Sequence, residues 1–423
     1  MTDLNDIKKQ LDKISPTVCY AKWHYNQINL EQGTTASCHN NPYHKIPENA
    51  EGLELFNTKE KIQQRQDMLQ GLKPSGCKAC WDHEEKNILS DRIWLSNNFV
   101  TKGIDNSTFN SNIVVPSYLG INLDNLCNFA CSYCNNSLSS TWGSFLKKHG
   151  PFKKIYTDKA KRYQSIMDRF KQSPQQREHM YKRLFKAIKD NINHIQDIEF
   201  EGGEPSVSPN FWKFIEFLKT LDAKHLTIAL ASNMCPSNNY DIEKFNELPK
   251  FFKQVKITGS LENVGRIAEF TRYGTRWNDV EPNMRKLINN GIFVSVTNTM
   301  SALTVINYHD FLKWQVSTGL KLYNHNNFVK DPTFQSIDVL PKHLRTDASQ
   351  KIKQVLDENK NYFDYHNTFE KLYTIVERLE VDTTPNYKLQ QDLKHFYIQY
   401  CDRTKNPYDI LGKDFADWIL SIE

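Results

Sequence analysis

Three cysteines, Cys127, Cys131 and Cys134, lie within eight residues of one another. The residues just before them, 118–123, alternate apolar and more polar side chains, which predicts a β-strand. The cysteines therefore occupy a loop that leaves the carboxyl end of a strand. A tight C-x3-C-x2-C triple is typical of iron–sulfur ligation, whereas structural zinc sites commonly use two separated pairs. Three unrelated buried cysteines are the alternative, because free Cys is among the most buried residue types.

The triple, with the aromatic residue Tyr133 before its last cysteine, resembles the defining motif of the radical S-adenosylmethionine (radical SAM) superfamily. The resemblance implies a [4Fe–4S] cluster held by three thiolates, with one iron open to the amino and carboxylate groups of SAM. It also implies reductive cleavage of SAM by an external one-electron reductant. The resulting 5′-deoxyadenosyl radical would abstract a hydrogen from the substrate.

A second motif, Gly202-Gly203-Glu204-Pro205, ends a short strand-like run that begins at Asp197. Paired glycines let a ligand approach the backbone closely and permit unusual dihedral angles. The motif resembles the GGE motif of radical SAM proteins, and it follows the cysteine loop by about seventy residues. That resemblance implies binding of the SAM amino group through a backbone carbonyl and the Glu204 carboxylate.

Six strand-like runs alternate with helical patterns over the central part of the chain: 118–123, 197–201, 226–231, 254–258, 293–297 and 320–328. Such alternation predicts a parallel sheet with right-handed crossovers. No seventh or eighth unit follows, so we expect an α/β fold, a partial, open (β/α)6 TIM-like barrel. Active residues should then lie at the carboxyl ends of the strands.

Polar residues follow two of these runs and are candidates for SAM binding: Ser232 and Asn233 after 226–231, and Ser260, Glu262 and Arg272 after 254–258. The stretch 271–275 resembles the R-x-G-T/S segment of SPASM/twitch relatives, which implies that Arg272 pairs with the SAM carboxylate. Arginine suits this task because its planar fork matches a carboxylate. Arg266 and Arg276 are the alternative partners.

Four more cysteines, Cys19, Cys38, Cys77 and Cys80, lie in the first 95 residues. Strand-like runs at 23–30 and 34–38 flank a turn at 31–33, and a hairpin there would bring Cys19 and Cys38 to the same end. Four thiolates alone do not distinguish zinc from a [4Fe–4S] cluster. The spacing C-x13-G-x4-C with a later C-x2-C resembles the twitch half of the SPASM/twitch fold. The resemblance implies an auxiliary [4Fe–4S] cluster, here placed before the core rather than after it.

The chain divides into three predicted domains: an N-terminal helix with a twitch-like, Cys-rich hairpin module (1–95), the radical SAM barrel (112–330) with a basic helical insert (135–195), and a helical C-terminal extension (331–423). Residues 147–190 hold 14 Lys and Arg against 4 Asp and Glu. This basic block predicts a solvated helical face, with nucleic-acid docking as the less favoured alternative.

The sequence shows no signal peptide and no apolar run long enough for a membrane span, so we expect no membrane contact. Nine cysteines without an export signal predict metal or redox residues in a reducing cytoplasm. Cys235 and Cys401 are left without a partner and without an assigned role.

These features together predict a radical SAM enzyme with an oxidative outcome on a peptide or protein, since an auxiliary cluster can accept the second electron. Dehydrogenation or rearrangement of a small metabolite or nucleoside is an alternative. A non-catalytic zinc metalloprotein that binds nucleic acid is a further alternative from another class. The sequence does not identify the substrate.

Overall fold

A mixed sheet runs through the computed structural model, which describes residues 4–86, 88–157, 172–236, 239–365 and 368–423. Within those ranges the sheet has nine strands in the order β11-β10-β8-β7-β6-β4-β1-β2-β3, and β5 pairs separately with β9. The strands are β1 Tyr25–Asn29, β2 Thr34–Ala36, β3 His44–Lys45, β4 Tyr118–Asn122, β5 Ala130–Cys131, β6 Asp197–Glu201, β7 Thr227–Ser232, β8 Gln254–Ser260, β9 Arg272–Tyr273, β10 Phe293–Met300 and β11 Tyr323–Phe328.

Helices pack against this sheet. The described helices are α1 Leu4–Asp12, α2 Ala21–His24, α3 Lys59–Leu69, α4 Lys78–Glu85, α5 Asp91–Thr101, α6 Ser140–His149, α7 Pro174–Asp190, α8 Pro209–Lys219, α9 Asn239–Glu247, α10 Gly265–Thr271, α11 Trp277–Asn289, α12 Tyr308–Thr318, α13 Lys342–Glu358, α14 Lys360–Phe363, α15 Thr368–Glu380, α16 Tyr387–Thr404 and α17 Lys413–Ser421. Among them, none combines the length and apolar character that a bilayer crossing requires.

The six predicted barrel strands, β4, β6, β7, β8, β10 and β11, lie side by side and are all parallel. The predicted α/β fold with a partial barrel is confirmed. The last strand begins at Tyr323, three residues later than predicted. Gly319, with a φ of 70°, ends helix α12 in the left-handed conformation, and residues 320–322 then connect the helix to the strand.

The N-terminal segment extends the barrel's own sheet. Strand β1 pairs parallel with β4, in a register that sets Tyr25 opposite Tyr118. The predicted hairpin forms, because β2 returns antiparallel to β1. Trp23 and His24, predicted as strand, are helical instead. The Trp23 indole donates to Ser111 O at 2.8 Å and its ring packs edge-on against Phe109, so tertiary packing overrides β propensity there.

Helix α7 carries five of the 14 basic residues of the basic block, while residues 158–171 lie outside the described ranges. The buried Arg183 donates to the carbonyls of Glu48 and Ala50, both at 2.7 Å. Lys182, Lys186 and Lys189 are exposed. The helix therefore uses an arginine to hold the 47–50 loop of the N-terminal segment and leaves its lysines in solvent.

The C-terminal extension closes the free edge of the barrel. Helix α15 covers strand β11, where Asn326 donates to Lys371 O at 2.6 Å. The Lys371 ammonium lies 4.0 Å from the centre of the Tyr323 ring. The helix thereby covers part of an edge strand, of which His325 and Asn327 stay exposed.

Candidate functional site

The loop that carries Cys127, Cys131 and Cys134 leaves the carboxyl end of β4 and is fixed at several points. Its short strand β5 pairs with β9, which sets Cys131 opposite Arg272. The Thr141 hydroxyl donates to Cys127 O at 2.6 Å. The three thiols are close enough to interact electrostatically, and burial raises the pKa of each, that of Cys134 to about 12. A bound cation would be needed to hold these buried groups as thiolates.

The Gly-Gly-Glu turn packs directly against this loop. Gly203 N donates to Asp124 O at 3.0 Å, and Glu204 N donates to Leu126 O at 2.7 Å. A Cβ added at Gly203 would lie 2.0 Å from Leu126 O, and one at Gly202 would lie 2.5 Å from Asp124 O. Both positions therefore need glycine, because any side chain would push the cysteine loop away from β6.

The buried Glu204 carboxylate accepts hydrogen bonds from residues at the carboxyl end of β7. It accepts from the Ser232 hydroxyl at 3.0 Å, from Asn233 N at 2.5 Å and from Ser206 N at 3.2 Å. Burial raises the pKa of Glu204, and these donors oppose that rise. Pro205 begins a single 3-10 turn after the glutamate. The structure thus brings the predicted residues Glu204, Ser232 and Asn233 together.

Tyr133, Glu262 and Arg272 form a buried polar triad beside the cysteine loop. The Tyr133 hydroxyl donates to Glu262 Oε1 at 2.6 Å and accepts from Arg272 Nη1. The Arg272 Nη1 atom lies 3.8 Å from Glu262 Oε1. Two buried atoms of the triad, Glu262 Oε2 and Arg272 Nε, have no hydrogen-bond partner. Burial raises the pKa of Glu262 although the adjacent guanidinium lowers it.

The other candidates lie outside this triad. Ser260 is half-buried on β8 and pairs in register with Thr297 of β10. Arg276 donates to Asp279 at 2.6 Å and to Pro236 O at 2.7 Å, and Arg266 is exposed. Of the three predicted arginines, Arg272 is therefore the one in contact with Tyr133 and Glu262.

The four N-terminal cysteines line one pocket, together with Trp81 and Arg92. Burial raises the pKa of Cys19, Cys38 and Cys80, the last two to about 12. Asn41 Nδ2 lies 3.6 Å from Cys77 Sγ. Within the described ranges, no three His, Cys, Asp or Glu side chains converge on a point as the ligands of one metal ion do.

The two cysteine sites lie toward opposite ends of the same pair of strands. Cys19 precedes β1, and Cys38 follows β2, whose Ala36 pairs with Gln27. Both cysteines are thus at the amino end of β1, whereas the 127–134 loop follows the carboxyl end of β4. The paired strands are five residues long, which separates the two ends by about 16 Å at roughly 3.3 Å per residue.

Sequence reasoning missed the polar inner wall of the barrel, which includes Glu199 and Glu201 of β6. The Tyr118 hydroxyl donates to Glu199, and Gln27 Nε2 donates to Glu201. Burial and the neighbouring Glu199 raise the pKa of Glu201 to about 7. The available signal was the alternation Asp-Ile-Glu-Phe-Glu, because strands of a parallel sheet are ordinarily apolar on both faces.

Sequence reasoning also missed two contacts from the C-terminal extension to the cysteine loop. The Tyr400 hydroxyl lies 3.1 Å from both Ala130 O and Phe270 O, so it bridges the segments before Cys131 and before Arg272. Gln335 Nε2 donates to Ser132 O at 2.7 Å. The extension therefore supports the loop, although its sequence shows no motif.

Two structures similar in fold are native anSMEcpe with bound AdoMet (16% identity, 58% of this chain and 62% of that one, TM-score 0.39) and Streptococcus suis SuiB bound to S-adenosylmethionine (14% identity, 82% and 70%, TM-score 0.36). A third is SuiB bound to precursor peptide SuiA (12% identity, 86% and 76%, TM-score 0.35). The chain thus spans less than two thirds of the length of anSMEcpe.

No protein of curated function matches the chain in sequence. Residues 121–314 match the family model of the radical SAM superfamily. That stretch contains the three-cysteine loop, the Gly-Gly-Glu turn and the Tyr133–Glu262–Arg272 triad. The match covers somewhat less than half of the 423 residues, and it includes the whole of this site.

Proposed function

We propose that this chain is a radical SAM enzyme whose catalytic [4Fe–4S] cluster is held by Cys127, Cys131 and Cys134. The observation that carries the proposal is the docking of the Gly-Gly-Glu turn on the cysteine loop by two backbone hydrogen bonds. When bound, the cluster and SAM would together supply the one-electron chemistry for removing a hydrogen atom from a substrate C–H bond. The chain's own residues position the cofactors and the substrate.

The donor set fits SAM. Arg272 Nε is a buried donor and Glu262 Oε2 a buried acceptor, and neither has a partner. Leaving such atoms unsatisfied costs about 1–3 kcal/mol each. The methionine part of SAM carries a carboxylate, which would bind Arg272 Nε, and an ammonium, which would bind the Glu204 carboxylate as the Gly-Gly-Glu motif implies, with Glu262 Oε2 as a further acceptor. Glu204 and Tyr133 complete the site in this proposal, together with Ser232, Asn233 and Ser260 at the strand ends.

We propose that Cys19, Cys38, Cys77 and Cys80 hold an auxiliary [4Fe–4S] cluster. Support comes from the single pocket that all four residues line. The chemistry of four thiolates is also compatible with zinc. An auxiliary cluster at the amino end of β1 would face the barrel from the side opposite the SAM site and could accept an electron during an oxidation.

For the substrate we propose a peptide or protein, as in the SuiB complex with its precursor peptide. This chain's own support is the polar inner wall of its barrel. The interior of a complete TIM barrel is filled by bulky branched side chains. Here Lys256, Thr258, Thr297 and Glu201 are only half-buried on the inner face, which leaves polar groups available to a ligand.

Electron paramagnetic resonance of the anaerobically reconstituted, dithionite-reduced protein tests this function. SAM binding to an open iron should change the spectrum of one [4Fe–4S] cluster. A thioether that lacks the amino and carboxylate groups of SAM should leave the spectrum unchanged. A spectrum that does not change when SAM is added at saturating concentration would contradict the proposed function.

A further inference from the structure

The barrel lumen has an acidic wall on β6 that the cofactor-binding residues do not use. Glu199 and Glu201 lie on the inner face of the strand, because residues two apart share a face, while Ile198 and Phe200 are buried on the outer face. Both glutamates are half-buried. In the described part of the chain, neither forms an ion pair with a lysine or arginine: each has a neutral donor instead, Tyr118 and Gln27 respectively.

Within the described ranges, the cations near this wall form no ion pair with Glu199 or Glu201. Lys102 pairs with Asp197 at 2.6 Å at the amino end of β6. His39 lies 3.5 Å from Asp91, and its charge also opposes the rise in the pKa of Glu199 and Glu201. Lys256 is on β8, with strand β7 between it and the glutamates. In the described part of the chain the two carboxylates therefore have no ion-pair partner, although His39, and for Glu199 also Lys256, act on them electrostatically.

Gln27 supplies an independent sign of a missing ligand. Its side chain is only 3% exposed, and its Nε2 donates to Glu201. Its Oε1 is buried and has no hydrogen-bond partner. A buried, unsatisfied acceptor is unfavourable. The same short stretch of lumen thus offers three acceptor groups, on Glu199, Glu201 and Gln27, and calls for a ligand rich in N–H donors.

Aromatic rings border these acceptors. Tyr25 and Tyr118 stack with ring centres 4.8 Å apart and planes 16° from parallel. Gly120 leaves space for the Tyr25 hydroxyl oxygen, which would lie 3.2 Å from a Cβ added there. Lys102 Nζ lies 5.9 Å from the centre of the Tyr118 ring. Flat cations such as guanidinium stack on aromatic faces and present five donors in a rigid fork. An ammonium has only three donors and no plane.

We propose that the lumen binds a guanidinium group of the substrate, with Glu199 and Glu201 as its ion-pair partners and Gln27 as a further acceptor. The inference rests on the proposed radical SAM function, since it takes the lumen as the substrate site. Glu201 immediately precedes Gly202, so the guanidinium would lie deeper in the barrel than SAM. The C–H bond to be attacked would then belong to the part of the substrate between the two.

Isothermal titration of the anaerobically reconstituted holoenzyme with SAM tests this inference. The probes are N-acetylarginine amide, agmatine and the neutral isostere N-acetylcitrulline amide. We expect the citrulline probe to bind at least tenfold more weakly than the arginine probe, because a charge-assisted bond is lost. Binding of agmatine as tight as that of the arginine probe would indicate a small free guanidine as the source, and weaker binding a peptide. Equal binding of the arginine and citrulline probes, or no binding of either guanidinium, overturns the inference.

Matched variants locate the site. Glu201→Gln keeps the shape of the side chain and should weaken binding of N-acetylarginine amide at least tenfold. Asp190→Asn removes the same charge from an exposed position on α7 and should bind the probe as wild type does. Wild-type affinity in Glu201→Gln would contradict the inference. SAM cleavage by the wild-type chain is measured separately. Cleavage without selectivity for the guanidinium probe would contradict this inference alone. Selectivity without cleavage would contradict the proposed function.

Discussion

Cys131 and Arg272 stand opposite each other in a two-residue antiparallel ladder, so the same backbone pairing holds a proposed cluster ligand and a proposed SAM ligand. Ser132 N continues the link by donating to Thr271 O at 2.8 Å. Backbone hydrogen bonds, rather than flexible side chains, fix the separation between the Cys131 and Arg272 backbones. The arginine is therefore preorganised beside the cluster loop.

Replacing Arg272 with lysine should weaken SAM binding. Lysine keeps a positive charge near the buried Glu262 but lacks the planar fork that binds a carboxylate through two donors. We expect a loss of roughly tenfold or more in affinity, equivalent to about 1.4 kcal/mol or more. Titration of SAM into the reconstituted protein measures it. Arg276→Lys is the control, since Arg276 contacts Asp279 and Pro236 instead. Unchanged affinity in Arg272→Lys would remove this residue from the site.

Gly203→Ala should prevent stable assembly of the SAM cluster. The new Cβ would meet Leu126 O at 2.0 Å, so the loop that leads to Cys127 must move. Iron analysis after anaerobic reconstitution should show a loss of about four irons per chain, the content of one such cluster. Gly319→Ala is the control: its φ of 70° strains the backbone by about 1–2 kcal/mol, but nothing lies near its Cβ. Full iron content in Gly203→Ala would show that the contact is not required.

Tyr400→Phe should loosen the cluster loop from the C-terminal side. Loss of the hydroxyl leaves the buried carbonyls of Ala130 and Phe270 without this donor, at a cost of about 1–3 kcal/mol. The iron of the SAM cluster should therefore be lost to a chelator faster than in wild type. Tyr397→Phe removes an equally buried hydroxyl that donates to Tyr408 O at 2.8 Å, away from the loop. Equal chelation rates for the two variants would limit Tyr400 to a general role in stability.

Features formed by residues close together in the sequence could be predicted from the sequence. The cysteine triple, the Gly-Gly-Glu turn and the barrel strands are short patterns whose spacing alone carries their meaning, and the family match and the sheet agree with them. The pairing of β1 with β4 was not predictable in this way. It joins segments about ninety residues apart, and a strand pattern does not specify its distant partner.

The contacts of Tyr400 and Gln335 were missed for a different reason. Both side chains bind backbone carbonyls, which every residue presents, so no complementary residue type marks the partner in the sequence. The sequence does show Glu199 and Glu201 as alternate polar residues of a strand. Only the sheet order shows that they face the barrel lumen beside Gln27, which belongs to the N-terminal segment.

Removal of the four N-terminal thiols should halve the iron content. A variant with Cys19, Cys38, Cys77 and Cys80 changed to Ala should retain about four irons per chain, against about eight in wild type, since each [4Fe–4S] cluster holds four. It should still cleave SAM but form no oxidised product. Metal analysis of the anaerobically prepared wild type distinguishes the alternatives. Zinc together with about four irons would make the N-terminal site structural.

The most direct test of the central claim is formation of 5′-deoxyadenosine from SAM by the reconstituted, dithionite-reduced chain. Wild type should form it, and Cys131→Ala should not, because two remaining thiolates do not complete the three-cysteine ligand set. Cys401→Ala also removes a buried cysteine, but from helix α16, and should retain cleavage. Absence of 5′-deoxyadenosine from fully iron-loaded wild type, or its normal formation by Cys131→Ala, would contradict the assignment of the 127–134 loop to SAM cleavage.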